Sequence, residues 1–170
     1  DNVDPDALLY LQIANTLTHT LGADAVTVAG DVSGMPGMAR PVLEGGLGFD
    51  YRLAMGVPDM WIRTVKTLRD EEWRLGDLWA TLPLRGRDER HIGYVESHDQ
   101  SIVGDKTLAF WLMDAAMYDQ MSVHQESPVV SRGVALHKLI RLLTFAAAGD
   151  GWLCFMGNEF GHPEWVDFPR

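Results

Sequence analysis

Glu96, His98 and Asp99 follow directly on a short apolar, β-prone run, Ile92-Gly93-Tyr94-Val95. Two carboxylates and an imidazole that close can exchange protons, support a developing charge or ligate a metal. The run is too short, and too closely flanked by charge, to be an ordinary helix. On a strand of period two, Glu96 and His98 leave on one face, and Asp99 comes where the chain turns into a loop. A buried strand with Glu, His and Asp at its carboxyl end is the usual placement of chemistry in α/β barrels and open α/β sheets. The competing reading is a solvated turn with a capping aspartate.

The elements around this run must place it. Asp4-Pro5 reads as the N-cap and first residue of a helix whose apolar side runs from Leu8 to Leu21, with Gly22 as its stop. Ala25 to Ala29 reads as a short buried strand, followed by a long glycine-punctuated loop from Gly30 to Gly48. Phe49 to Ala54 is the second strand candidate. Helices are predicted from Pro58 to Leu68, Leu75 to Leu82, Thr107 to about Tyr118, and Ser131 to Ala148, the last apolar on most of its surface and so buried. Trp152 to Met156 is the fourth strand, and a polar loop from Gly157 to Trp165 follows it. Four strands alternate with helices, and a polar loop follows each strand, the pattern of a parallel sheet and of half a (β/α) barrel. Gly30, Asp50, His98 and Glu159 are expected near the strands' carboxyl ends, on one rim. Half a barrel would leave two sheet edges uncovered.

The 170 residues are enough for one compact domain with a core. A formal net charge of −10, from 24 acidic and 14 basic residues, disfavours nucleic acid or an anionic membrane as partner and suits a neutral polar ligand. Val134 to Met156, the most apolar region, is interrupted by His137, Lys138, Arg141 and Asp150 and does not read as a membrane span. Cys154 is the only cysteine, so no intrachain disulfide or cysteine-based metal site is suggested, and a reducing compartment is favoured. The chain begins at Asp1 with no leader-like segment and reads as part of something longer. Glu159, His162 and Glu164 are spaced closely enough to raise metal ligation but lack the helical His-x-x-x-His arrangement, so no metal is expected. Asp105 could cap the helix that follows it.

Four stretches carry a specific resemblance. They are Asp31-Val32-Ser33-Gly34-Met35-Pro36, Gly48-Phe49-Asp50-Tyr51-Arg52-Leu53-Ala54-Met55, Glu96-Ser97-His98-Asp99-Gln100 with Val103-Gly104-Asp105-Lys106, and Met156-Gly157-Asn158-Glu159-Phe160-Gly161-His162-Pro163-Glu164-Trp165. In content and order they resemble the eukaryotic-type glycogen/starch branching enzymes of the α-amylase superfamily of glycoside hydrolases, along essentially the whole chain. The resemblance implies an α/β fold, the carboxyl-terminal half of a (β/α) TIM-type barrel. Residues 1–170 would form a partial catalytic domain holding the family's fifth to eighth strands. It implies an α-glucan polysaccharide as partner, no cofactor, no nucleic acid or membrane, and a cytoplasmic or plastid setting. His98 and Asp99 map onto the pair that contacts the hydroxyls of the reacting glucose, with Asp99 as the transition-state-stabilising carboxylate. Asp31, Glu96 and Glu159 would contribute to substrate binding, Glu159 from a loop bordering the donor cleft. For Glu96, support of the site and a solvated strand-end carboxylate remain equal readings. Asp50-Tyr51-Arg52 is expected to anchor its strand end through an Arg–carboxylate pair.

Two departures from the family pattern matter. Its nucleophilic aspartate ends a strand that would precede Asp1. Its acid/base glutamate stands immediately before the Asp-Val-Ser-Gly-Met-Pro stretch, and here that position is Gly30. Retaining glycosyl transfer uses two carboxyl groups about 5–5.5 Å apart, one attacking and one protonating the leaving oxygen. Glycine has no proton to give. Asp31 is no substitute, because on an extended strand end it points the other way with a shorter side chain. A sequence error or an inactivating change, since Glu and Gly codons differ by one base, a glucan-binding paralogue without activity, and replacement of the acid by water or Glu96 stay open. On this reading the chain alone does not catalyse. From the residues without the resemblance, a metal-dependent hydrolase using His98, Asp99 and Glu96 is the rival.

Overall fold

A computed structural model describes residues 3–83, 88–104 and 106–161. Asp105, His162 and Glu164 lie outside them. Helix α1, Pro5–Leu21, starts as its residues dictate: the Asp4 carboxylate accepts from the Asp6 and Ala7 N–H groups, and Pro5 opens the first turn. Strand β1 is Val28–Ala29. It is followed by a loop containing a single 3-10 turn, Val42–Glu44, and then by β2, Tyr51–Leu53. Helices α2, Gly56–Thr67, and α3, Leu75–Thr81, lead to β3, His91–Gly93. Helices α4, Leu108–Met113, α5, Ala116–Asp119, and α6, Pro128–Ala147, lead to β4, Gly151–Trp152.

The strands form one sheet in the order β1-β2-β3-β4, and every pair is parallel. Ala29 pairs with Arg52, Arg52 with His91, and Ile92 with Gly151. Consecutive parallel strands lying side by side, linked mostly through helices, are the arrangement of a segment of a (β/α) barrel, and the fold class expected from the sequence holds. Among the described residues β1 and β4 are edges. The first strand is less covered than expected: Val26 and Val28 are exposed, and only Ala29 of β1 is buried.

The main core lies between β3 and helices α2 to α6. Trp61 is fully buried at its centre and donates from Nε1 to the Thr144 hydroxyl at 2.8 Å, so the indole loses no hydrogen bond on burial. A smaller cluster of Ala29, Met38 and Leu47 packs against Leu8 and Leu11 of α1. Here α1 is also pinned by polar bonds, from Asn15 Nδ2 to the Leu47 carbonyl at 2.8 Å and from Gln12 Nε2 to the Gly46 carbonyl at 2.9 Å. Gly46 must be glycine, since a Cβ there would lie 2.1 Å from the Arg40 carbonyl oxygen.

Four expectations need correction. The helix predicted from Thr107 to Tyr118 is two, because Asp114 takes a positive φ of 50° between α4 and α5. Two contacts from α6 hold that break: Arg132 Nη1 donates to the Leu112 carbonyl, and Gly133 packs against Met113 where a Cβ would be 2.1 Å from Met113 Cγ. Helix α6 begins three residues before Ser131, capped by the Ser127 hydroxyl with Pro128 in its first turn. Its apolar surface is only partly buried, for Leu142 and Phe145 are each 64% exposed. Finally, Asp50 precedes β2 and so lies at its amino end, away from the expected rim. There it accepts from Thr27 N–H at 2.8 Å and pairs with His19 Nε2 at 2.8 Å. Burial works to raise the Asp50 carboxyl, but these partners outweigh it and hold it below the usual carboxylate range. No helix among the described residues is long and apolar enough to cross a membrane.

His137, on the buried side of α6, has a consequence for stability. Burial, with a smaller contribution from the Arg141 charge, pushes its imidazole down to about 4 from 6.5. The unfolded chain therefore binds a proton that the folded chain refuses between those values. Stability is full above about pH 6.5 and falls as pH drops toward 4. The loss from this residue approaches roughly 3 kcal/mol, about 1.4 kcal/mol per pH unit. His137→Gln is expected to flatten the denaturation midpoint between pH 4 and 6.5; an unchanged slope would contradict the assignment.

Candidate active site

The site is built from the carboxyl ends of β1, β2 and β3. Gly30 directly follows β1 and is exposed, with φ outside the left-handed region. Among the described residues a Cβ added there would meet only Leu53 Cδ1, at 3.9 Å, so the backbone accepts a side chain. Beside it, Asp31 accepts from the Ser33 hydroxyl at 2.8 Å, and the Ser33 oxygen accepts in turn from Met35 N–H. Asp31 is also paired with Arg52 Nη2 at 3.3 Å.

Arg52 is the hub of this end of the sheet. It lies in β2 and is largely buried. Its Nη1 donates to Glu89 Oε2 at 3.1 Å and to the Met35 carbonyl at 2.9 Å. The expected Arg–carboxylate anchor is therefore present, with Asp31 and Glu89 as partners and not Asp50. Glu89 escaped sequence reasoning. Its side chain is 2% exposed, and its Oε1 has no hydrogen-bond partner among the described residues. The only signal was an acid placed two residues before a strand. A cleft of about 450 Å³ opens here, bordered by Asp31, Arg52, Leu53, Asp59 and His91. Since removing one partner of a buried pair leaves the other charge uncompensated, Arg52→Leu is expected to cost about 3–5 kcal/mol. Chemical denaturation measures this, and adding Glu89→Leu should recover most of the loss. A cost below about 1 kcal/mol, the value of a surface pair, would contradict the hub.

The stretch after β3 departs from its expected geometry. The strand ends at Gly93, and Tyr94 to Ser97 are buried but no longer paired as a strand. Glu96 and His98 therefore do not share a strand face. Glu96 is 2% exposed, whereas His98 and Asp99 stand in solvent with side chains 64% and 46% exposed. His98 Nε2 lies 3.3 Å from Asp99 Oδ1. Asp99 opens a π-helical turn, Asp99–Gly104, and its N–H donates to the Ser97 hydroxyl at 3.2 Å. Asp99 also borders a second cleft of about 250 Å³ with Asp59, Gln100, Lys106 and Trp111. Asp59 is thus a wall of both clefts.

Tyr94, also not singled out from the sequence, lies fully buried nearby, its hydroxyl without a hydrogen-bond partner among the described residues. Burial first, then the charges of Asp99 and Asp59, push its phenol strongly up, so it stays protonated. Glu96 turns inward: its oxygens accept from the Ser101 hydroxyl, the Leu108 N–H and Asn158 Nδ2. Of its two readings the solvated carboxylate is excluded. With both oxygens so engaged, Glu96 is also withdrawn from a joint ligand set with His98 and Asp99, which removes the basis of the metal-hydrolase reading. Among the described residues no three His, Cys, Asp or Glu side chains converge as a metal site would require. Glu159 is separate from the other candidates. It lies in a 3-10 turn, Asn158–Phe160, and borders a cleft of about 340 Å³ with His137, Lys138 and Arg141. The structure thus brings Asp31, Arg52 and Asp59 to one cleft, with Gly30 adjoining it in the chain through Asp31, links that cleft to Asp99 through Asp59, and places Glu159 in a different one.

No family model matches the sequence. Individual proteins do. The chain is 59% identical over 169 residues to the 1,4-alpha-glucan-branching enzyme of Felis catus and 60% identical over 169 residues to that of Equus caballus. It is 58% identical over 168 residues to the protein of the same name from Solanum tuberosum. These matches take in 98–99% of this chain but only 20–24% of each relative. The chain spans about a quarter of the length of the curated relatives it matches. Over its whole length it is related to one segment of the 1,4-alpha-glucan-branching enzymes, as the four sequence stretches implied.

Proposed function

We propose that this chain is the carboxyl-terminal half of the catalytic barrel of a 1,4-α-glucan branching enzyme, its strands the fifth to eighth of that barrel. The complete protein would cut an α-1,4 glucan through a covalent glycosyl-enzyme and pass the released chain to a 6-hydroxyl, making an α-1,6 branch in glycogen, amylose or amylopectin. It would work in the cytoplasm or a plastid, and the reaction would run on carboxylates without a cofactor or metal. The observation that carries this reading is the 56–60% identity along the whole chain to proteins of that one name.

Within this reading Asp99 and His98 hold the hydroxyls of the reacting glucose. Both side chains are exposed, and Asp99 borders a cleft, which suits groups that must meet a sugar. Hydrogen bonds from a carboxylate to ring hydroxyls tighten as the oxocarbenium-like transition state develops charge. Position 30 is where the leaving oxygen takes its proton, and with glycine there that step has no donor. Asp31, already committed to Arg52 and Ser33, contributes to the floor of the glucan cleft and not to proton transfer. Glu159 borders the donor side.

Gly30 itself favours a second reading, a glucan-binding homologue without activity. Two measurements on the complete protein separate the readings: new α-1,6 linkages formed on amylose, and retardation in a glycogen-containing gel. Retardation with only trace branching that Gly30→Glu restores supports a branching-enzyme scaffold whose acid is missing. Retardation that Gly30→Glu leaves without branching supports the binding homologue, and fast branching with glycine would show that position 30 is not the acid. Neither retardation nor branching, even with glutamate at position 30, would refute both readings.

A further inference from the structure

Glu96 is a buried carboxylate met by three neutral donors from three separate segments. Its Oε2 accepts from the Leu108 N–H at 2.8 Å and from the Ser101 hydroxyl at 3.2 Å, and its Oε1 accepts from Asn158 Nδ2 at 2.8 Å. Ser101 belongs to the turn that Asp99 opens, Leu108 is the first residue of α4, and Asn158 precedes Glu159 in the loop after β4. An ionised carboxylate removed from water is tolerated only when its lone pairs are met, so these bonds favour one arrangement of all three segments over any looser one.

The turn adds its own ties to this point. Ser101 N–H donates to the Ser97 carbonyl at 3.1 Å. Gln100 Oε1 accepts from the Ser97 N–H and hydroxyl at 2.9 and 3.0 Å, while the Ser97 oxygen accepts from Asp99 N–H. The backbone at Asp99 is thereby fixed on one side by Ser97 and on the other by Ser101, whose hydroxyl ends on Glu96.

We propose that Glu96 is the positioning residue for Asp99, locking the turn that presents it against the Asn158–Glu159 loop across the sheet end. This rests on the role given to Asp99 above. Glu96 touches no sugar; it keeps the carboxylate that does at a constant distance from the donor-side loop. Misplacement by about 1 Å can cost on the order of 100-fold in rate.

The test uses the complete protein carrying Gly30→Glu. Asn158→Asp sets a second carboxylate against Glu96 Oε1 and forces the two segments apart. In that variant kcat should fall about 10–100-fold with KM for amylose within about twofold. Glu96→Gln alone should be mild, since the Asn158 amide can turn its oxygen toward the new Nε2. The double variant E96Q/N158D restores a donor–acceptor pair and should regain most of kcat. Ser101→Ala, which removes only the hydroxyl tie, should lower kcat about threefold to tenfold and serves if Asn158→Asp does not fold. Hydrogen exchange of residues 97–108 should quicken about tenfold in Asn158→Asp and return in the double variant.

Unchanged kcat per folded molecule in Asn158→Asp or Ser101→Ala, or a double variant no better than Asn158→Asp, would overturn the proposal. If the Gly30→Glu protein itself fails to branch, the function proposed above fails, and the exchange experiment still decides the lock. Exchange that returns in the double variant upholds the tie; exchange that does not overturns it.

Discussion

In the complete protein, Gly30→Glu is expected to raise the rate of amylose branching by about 10²–10⁴-fold, the usual contribution of a positioned general acid. The backbone can take the change. Position 30 is exposed at the carboxyl end of β1, its φ is not left-handed, and among the described residues a Cβ there meets only Leu53 Cδ1 at 3.9 Å. Neither candidate substitute from the sequence is free to stand in. Asp31 is held by Arg52 and Ser33, and Glu96 is turned inward onto Ser101, Leu108 and Asn158. Glucan affinity should change little, because on the proposed reading Asp99 and His98, not position 30, hold the sugar hydroxyls. A glucosyl fluoride donor needs less protonation of its leaving group and should narrow the gap between the two forms. If the protein with Gly30 and its Gly30→Glu variant branch amylose at equal rates, the acid has been assigned to the wrong position.

Asp99→Asn in that Gly30→Glu background should lower kcat by about 10²–10³-fold, the range seen when one charge-stabilising contact to a transition state is removed. The loss should be the same with amylose and with a glucosyl fluoride, since Asp99 acts on the sugar ring and not on the leaving oxygen. That equality separates it from the position-30 effect. Stability is a poor alternative explanation, for the Asp99 side chain is half-exposed and pairs with the exposed His98. The turn is fixed through backbone groups and Ser97, which the isosteric asparagine leaves in place. Thermal unfolding should shift by no more than about 2 °C, as for an exposed substitution within ±0.5 kcal/mol. A rate within twofold of the parent would remove Asp99 from the proposed site.

What the sequence determined alone is what local chemistry determines. Asp4-Pro5 could only begin a helix, because the carboxylate meets two free N–H groups and proline needs none. The alternation of strands with helices implied parallel pairing, because a parallel strand needs a crossover of a dozen or more residues. The four stretches that resemble branching enzymes are runs of consecutive residues, so they could be read without knowing which parts of the chain meet. Ser127-Pro128 carried an equally plain start signal for α6, and the later start at Ser131 missed it.

The tertiary structure decided everything that depends on distant residues. Whether Glu96 met water or protein turned on Asn158 and Leu108, 62 and 12 positions away, which withdraw it from the face that a continuing strand would have shared with His98. The break between α4 and α5 has no breaker in sequence; Arg132 and Gly133 of α6 supply it. Asp50 sits at the amino end of β2, where Thr27 and His19 claim it, while the carboxylates that Arg52 meets are Asp31, after β1, and Glu89, from the approach to β3. Residue types limit which bonds can form. Which of them do form is chosen by the packing that brings the segments together, because a buried charge accepts whichever donors the fold puts in reach.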